Sequence, residues 1–350
     1  MGIDSSGNFY MAGERTHQIY PATQNAWLDS CDAASYCGEI FIIKANSLGV
    51  QQWARAYGPS TAHGPSTLTS PIMFYDLSVA GDDSLVAVGY ARNDNPVQWT
   101  GITGNTVMWV MKVDNSGTKT WQNFFGAGLS SSYEYGYGVT HDASNNIYVT
   151  GQTKGNFGGT LQGSSDCFLM KLNAAGTQTW LVQYGGTGFD WCSSVAVAPG
   201  SGNIATAGTL GSNVFVSCRQ SGDGAELWSS EPGPVWDSPW VAFDSSDNVL
   251  LAGSTPTDFG GFTLAGQGGI FLVKLNSAGA HQWTQVKGNS GRTWLRSAQF
   301  TSSGSIVALL ESESTEYEPW GGAGQVLVHY DSSGTETGHY RDYPELPPGA

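Results

Sequence analysis

The chain has 350 residues, 48 of them glycine, only 12% charged residues, and a formal net charge of −15. An acidic chain without a Lys/Arg cluster argues against a nucleic-acid or anionic-membrane partner, and no apolar run reaches the roughly 18 residues of a membrane-spanning helix. Aromatic residues set among Gly, Ser, Thr and Asn exclude global disorder and predict short strands joined by tight turns.

The opening Met1-Gly2-Ile3-Asp4 has neither the basic nor the apolar segment of a signal peptide. A turn, Asp4-Ser5-Ser6-Gly7-Asn8, leads to a strand closing on Gly13, and a long loop follows over 14–38. Cys31 and Cys37 lie six apart in that loop and are a candidate disulfide. The other cysteines, Cys167, Cys192 and Cys218, fall in or beside predicted strands and read as small buried hydrophobes. An odd count fits one or two disulfides with a leftover thiol, or none.

The next strand begins a segment, Ile40 to Trp53, that recurs without gaps as Met108–Trp121, Cys167–Trp180, Phe215–Trp228 and Ile270–Trp283. A sixth copy, Gln325–Gly338, keeps the strand and turn but has Gly338 at the tryptophan position. Inside the segment a basic residue recurs at Lys44, Lys112, Lys171, Arg219 and Lys274, with His329 last. A turn glycine recurs at Gly49, Gly117, Gly176, Gly224, Gly279 and Gly334. The strand before each copy closes on Gly13, Gly89, Gly151, Gly208 and Gly253, with Leu310 in the sixth. Successive tryptophans are 68, 59, 48 and 55 residues apart, the length of a four-stranded propeller blade and too long for a solenoid rung.

The fold class follows: all-β, a β-propeller of four-stranded antiparallel blades in six repeats, six blades or seven if more chain exists. One domain covers 1–342, with repeats at about 1–58, 72–127, 135–186, 191–232, 238–288 and 294–342, and an extended tail at 343–350. The first repeat is short by about one strand at its start, since Met1-Gly2-Ile3 aligns only with the end of Pro239–Phe243. Blades packed face to face bury surfaces that none can bury alone. The turn glycine supplies a positive φ, and the tryptophan packs between blades with its indole N–H seeking a carbonyl. The recurring lysine lays its stem on the sheet and bonds nearby, a structural role.

Asp4-Ser5-Ser6-Gly7-Asn8, Ile147-Tyr148-Val149-Thr150-Gly151, Phe168-Leu169-Met170-Lys171-Leu172 and Phe271-Leu272-Val273-Lys274-Leu275 resemble the bacterial β-propeller repeat family of SBBP type. The resemblance covers almost the whole chain. It implies a propeller and an extracellular or cell-surface setting, and little about activity. The segment Leu275 to Trp283 is also similar to the tryptophan-docking turn of quinoprotein propellers, from which no cofactor site follows.

Long, variable second-to-third-strand loops share one face with the blade connections, and such loops on a rigid frame are where binding is expected. The candidate ligand-binding residues are Tyr20, Trp27, Trp99, Trp236, Trp240, Trp294, Tyr317 and Trp320. Tyr133, Tyr135, Trp191, Phe157, Phe259 and Phe262 share those regions, either stacking on a ligand or covering the blade tops. Asp-rich turns such as Gly81–Ser84 and Asp244–Asn248 leave calcium open, though Asp and Asn stabilise such turns themselves. No catalytic or metal motif is present and no cofactor is expected.

Two functions follow. One is a non-enzymatic propeller that binds a glycan or protein partner through the long-loop face, or serves as a structural subunit of a surface assembly. The alternative is a glycan-cleaving enzyme with carboxylates at the central channel, drawn from Asp76, Asp142, Asp190 and Asp237.

Overall fold

A computed structural model describes residues 2–15, 39–57, 72–92, 105–128, 131–264, 268–288, 291–313 and 324–341. These residues hold 24 strands in six four-stranded antiparallel sheets, the blades of a β-propeller, and no helix. Within each sheet the strands follow chain order, so neighbours are joined by short turns or single loops. The blades lie at residues 2–57, 72–125, 134–184, 190–234, 240–287 and 293–341.

The chain divides into two compact units, 1–191 and 192–350, and the division falls inside the first strand of blade 4 (Asp190–Val197). In the first unit one core cluster gathers Tyr10, Ile42, Leu85, Trp109 and Met111 from blades 1 and 2. Another gathers Val88, Val110, Val149, Phe168 and Met170 from blades 2 and 3. The second unit repeats the scheme, with Val216, Leu251, Phe271 and Val273 in one cluster and Leu250, Leu272, Ala308 and Val328 in the other. Within each unit, core therefore sits between consecutive blades, and this is why their middle strands read as near-continuous apolar runs rather than alternating ones.

The closing glycine of each second strand has a steric cause. Gly151 pairs with Phe168, whose ring reaches over it, and a Cβ on Gly151 would fall 2.9 Å from that ring and 1.8 Å from the Tyr135 carbonyl. Gly13 meets Phe41, Gly89 meets Trp109 and Gly253 meets Phe271 in the same way. In blade 6 both partners change together: Leu310 stands opposite Val326, so the volume lost from the third strand returns on the second. Gly151→Ala is expected to cost about 3 kcal/mol or more in urea unfolding, because the clash is with backbone that cannot step aside.

The turns repeat as well. Asp4, Asp142 and Asp244 each accept hydrogen bonds from the backbone two and four residues on and from Asn8, Asn146 and Asn248. The recurring lysines complete these turns: Lys44 lies 3.0 Å from Asp4, Lys274 3.0 Å from Asp244, and Lys112 3.3 Å from Asp82. Burial alone would raise the Asp4 carboxyl, but bonds from Asn8, Lys44 and Tyr10 hold it well below the usual carboxylate range. Among the described residues no cluster of three or more His, Cys, Asp or Glu side chains could hold a metal ion.

The tryptophans interlock consecutive blades. The indole N–H of Trp53 donates to the Asn115 carbonyl at 3.0 Å, Trp121 to Ala174 at 3.3 Å, Trp228 to Ser277 at 3.0 Å and Trp283 to Ser332 at 3.3 Å. Every acceptor is the second residue of the third-to-fourth-strand turn in the following blade. The turn glycine two residues further on lies under the same indole: a Cβ on Gly117, Gly176, Gly279 or Gly334 would fall within 3.3 Å of the docked ring. These glycines also have φ near +80°. Positive φ and close approach thus select glycine together.

Candidate binding surfaces

First strands enter each blade at the end where the blade connections and second-to-third loops emerge. Several carry a β-bulge, and the extra residue is Tyr75 in blade 2, Tyr137 in blade 3 and Arg296 in blade 6. A bulge re-aims a side chain, and all three lie at aromatic or charged surfaces.

In the second unit, Trp236 follows the last strand of blade 4, and its backbone N–H donates to the Ser254 carbonyl at 2.9 Å. Its ring covers Gly268, where a Cβ would fall 2.2 Å from the indole. Trp294, in the first strand of blade 6 (Thr293–Phe300), stacks on it at 6.5 Å and 24°. The Arg292 guanidinium lies 5.9 Å from the Trp236 ring centre. Trp236 is 40% exposed although two elements fix it, so it presents a rigid apolar face to solvent.

Beside this pair, Asp237 accepts from the Ser254 hydroxyl at 3.1 Å, and that hydroxyl accepts from the Leu295 N–H at 3.0 Å. The other Asp237 oxygen is buried without a partner among the described residues. Burial raises the Asp237 carboxyl against the pull of the Ser254 bonds and the Arg296 charge. Arg296 itself pairs with Glu311. Trp240 opens the first strand of blade 5 opposite Ala252, a separate exposed ring.

The first unit carries a tyrosine row. Tyr133, Tyr135 and Tyr137 occupy alternate positions and share one side of their strand, with ring centres 6.5 and 5.9 Å apart and nearly parallel. Tyr75 meets Tyr137 edge-on at 4.9 Å, and Tyr90 meets Tyr135 the same way at 4.9 Å. Gly136, between them, faces Val88, which a Cβ would strike at 2.4 Å. Lys154 lies over both Tyr133 and Phe189. Burial pushes the Tyr75 hydroxyl up to about 12 and raises those of Tyr135 and Tyr137, so all three stay protonated.

The structure brings Trp236 and Trp294 together and leaves Trp240 apart. Tyr20, Trp27, Trp99, Tyr317 and Trp320, together with Cys31 and Cys37, lie outside the described residues. Phe157 and Phe259 are cover: Phe157 packs edge-on against Phe168 at 5.2 Å, and Phe259 stacks on Phe271 at 4.1 Å. Tyr75, Tyr90, Tyr137 and Arg292 were not singled out by sequence. The alternation in Tyr133-Glu134-Tyr135-Gly136-Tyr137 was the signal available for the row.

The four acids are held separately. Asp76 accepts from the Leu77 and Val139 N–H groups, tying blade 2 to blade 3, and its burial raises the carboxyl to about 6. Asp142 caps its own first-to-second-strand turn. Asp190 accepts from the Gly186 N–H at 2.5 Å in the connection leading into blade 4, and Asp237 bonds Ser254.

The cysteine reading is also corrected. Cys167 and Cys192 are disulfide-bonded, not free hydrophobes, while Cys218 is a free buried thiol raised to about 11 by burial. Strand positions and spacing carried no cue to that oxidation, because a wholly buried half-cystine and a buried thiol occupy the same kind of site.

The repeated turn, strand and tryptophan pattern now has both a sequence and a geometry. Residues 125–158 match the SBBP β-propeller repeat. That stretch of SBBP repeat runs from Phe125 through the tyrosine row and the second strand of blade 3 into its loop. No curated protein matches the chain. Among solved structures it is similar to a protein of unknown function from Dyadobacter fermentans, at 11% identity and a TM-score of 0.51 over 94% of this chain and 93% of that one. It is also similar to the hydrazine synthase of Kuenenia stuttgartiensis, at 10% identity and a TM-score of 0.51 over 80% of this chain and 69% of that one. At such identity the likeness is one of fold.

Proposed function

We propose that this chain is a non-enzymatic binding propeller that takes a glycan on the aromatic surface of its second unit, with Trp236 and Trp294 as stacking platforms. The observation that carries this reading is the stacked tryptophan pair, Trp236 exposed and Trp294 half-buried, with Arg292 beside it. An indole fixed in place yet left wet, as Trp236 is, gains little for folding, and the C–H face of a sugar ring covers such a surface well. Arg292 supplies donors for ring hydroxyls or a carboxylate at the rim. The surface needs no cofactor or metal.

The disulfide-bonded Cys167 and Cys192 support an extracellular or cell-surface location, since disulfides persist in oxidising compartments. A glycan-cleaving enzyme would need two carboxylates within about 5–10 Å of each other across an open pocket. The separate bonding of Asp76, Asp142, Asp190 and Asp237 favours binding over cleavage.

A glycan array followed by calorimetry on the oligosaccharide retained tests the reading. Trp236→Ala and Trp294→Ala are each expected to weaken binding at least tenfold, about 1.4 kcal/mol, while Trp240→Ala leaves it unchanged. An array without hits, or a hit indifferent to both changes, overturns the glycan and leaves a protein ligand for that surface.

A further inference from the structure

Where the turns of blades 4 and 5 meet, inside the second unit, lies an open cavity of about 260 Å³ lined by Ser201, Asn203, Cys218, Phe243, Asp247 and Ser277. Strand register explains why it is there. Opposite the fourth-strand tryptophan stand Lys44 in blade 1, Lys112 in blade 2, Lys171 in blade 3 and Lys274 in blade 5. In blade 4 the residue opposite Trp228 is Cys218, not the Arg219 that the gapless sequence match places there. The third-to-fourth-strand turn of blade 4 is one residue longer. Its Gly224 N–H bonds back to Gln220, four residues away, whereas Gly279 bonds back three to Asn276. Arg219 turns instead to Glu226.

The neighbours of that position change with it. In blade 3 the Tyr148 hydroxyl donates to Asp142 at 3.1 Å, and the Lys171 ammonium lies 5.2 Å from the Tyr148 ring centre. Blade 4 has Ala198, Ala205 and Cys218 at the places of Asp142, Tyr148 and Lys171. Three side chains that fill this space elsewhere are therefore cut short together, and a void is left.

What a lysine ammonium would meet is still in place. In blade 5 the Lys274 ammonium lies 5.3 Å from the ring centre of Phe300, the last residue of the first strand of blade 6. Phe243 is the last residue of the first strand of blade 5 (Trp240–Phe243), and it lines the cavity. The Asp247 carboxylate accepts from the Gly200 and Ser201 N–H groups at 2.8 and 2.7 Å, and among the described residues no cation pairs with it. Burial raises the Cys218 thiol and the Asp247 charge adds to the rise, so the field of the carboxylate reaches the cavity floor. The cavity thus keeps an aromatic face, a carboxylate and neutral acceptors, and lacks the cation.

We propose that this cavity is a binding site for a small, free primary alkylammonium compound, seated where the lysine of the other blades lies. The ammonium rests over Phe243 and against Asp247, and the Ser201 and Ser277 hydroxyls and the Asn203 side-chain carbonyl are within the same lining for its remaining donors. Its alkyl chain points back toward Cys218. An anion would meet the Asp247 charge, and a neutral ligand would leave that charge unanswered.

The test titrates the full chain with n-butylammonium chloride, which has the length of a lysine side chain, and follows amide shifts by NMR. The neutral match is n-butanol at equal ionic strength. Saturable shifts are expected at Ser246, Asp247 and Ser277, with n-butanol binding at least about tenfold more weakly. Asp247→Asn is expected to weaken butylammonium at least about tenfold while keeping the turn, since Asn145 holds the same place in blade 3 at a φ of 59° against 60° for Asp247. Cys218→Lys supplies the ammonium from the chain itself and is expected to abolish binding. An equal response to n-butanol, shifts that do not saturate, or unchanged binding by Asp247→Asn overturns the inference. So does undiminished binding by a folded Cys218→Lys chain; where that variant does not fold, the Asp247→Asn titration decides. Binding of Nα-acetyl-lysine methylamide at least about tenfold tighter than butylammonium assigns the cavity to a lysine of a partner protein and overturns the free amine.

Discussion

Trp228→Ala should lower the stability of this protein by about 2–3 kcal/mol, read as a fall in the urea midpoint. The value sits below that of a fully buried tryptophan because the indole is only partly covered. It packs against the cluster of Val216, Leu251 and Phe271 and donates to Ser277, whose exposed carbonyl can turn to water once the donor is gone. Most of the loss is therefore contact between the indole and the following blade, and Trp228→Phe, which keeps a ring and gives up the N–H, should cost only about 1 kcal/mol. Gly279→Ala attacks the same interlock from the other side, since the new methyl would lie 2.6–2.9 Å from the indole while φ stays at +81°.

The two changes should not add. With Trp228→Ala already made, Gly279→Ala meets open space and costs only its backbone strain, about 1 kcal/mol. Gly49→Ala provides the same strain without a ring above it and should match that residual cost. Full additivity in the double-mutant cycle, or a Gly49→Ala cost as large as that of Gly279→Ala in the unmutated chain, would show that the indole and the glycine do not act as one unit.

That interlock marks how far sequence alone reaches into this fold. The glycines, lysines and tryptophans recur at fixed offsets because each answers to a constraint repeated from blade to blade, and repetition makes such a constraint visible. The partners do not follow from repetition. That Trp53 docks on the turn of blade 2 and not on its own blade, or that Gly151 is forced by the Tyr135 carbonyl as well as by Phe168, depends on packing between segments dozens of residues apart. The complementary exchange of Leu310 and Val326 was legible only in half, as a missing glycine.

The candidate surfaces were less legible for a related reason. Trp236 and Trp294 were noticed as aromatic residues near strand starts, but 58 positions separate them and no repeat relates them. Their pairing arises because a connection and a first strand happen to converge. Tyr75 and Tyr137 turn toward one another through bulges, which shift register by one residue and leave no reliable trace in the pattern of apolar positions. Repeated features thus report the frame, whereas the features that differ between blades carry recognition, and those require coordinates.

The frame also holds a titrating group whose effect runs against ordinary acid denaturation. Glu134 is wholly buried on the side of its strand away from the tyrosine row, bonded by the Ser132 and Thr153 hydroxyls and the Ala127 N–H, and burial outweighs these to push its carboxyl up to about 7 from an ordinary 4.5. Between those values the folded chain binds more protons than the unfolded one, so stability falls as pH rises. The contribution is fully present below about pH 4.5 and gone above about pH 7, a difference on the order of 3 kcal/mol. Asp76, raised to about 6, acts in the same direction over a lower and narrower window. Asp4, Asp142 and Asp244, all held low by their turns, oppose this only at still lower pH, where protonation removes their bonds. The urea midpoint should accordingly be highest near pH 4–5 and decline toward about pH 8. Glu134→Gln retains an oxygen for Ala127 and offers an N–H₂ to the two hydroxyls without a charge to desolvate. It should stabilise the protein by about 2–3 kcal/mol at about pH 8, change little near pH 4.5, and flatten the slope between them to the part owed to Asp76. An unchanged slope in the variant would mean that Glu134 is solvated or paired at neutral pH, and that the packing of Ser132, Thr153 and Gly155 around it is looser than its buried position implies.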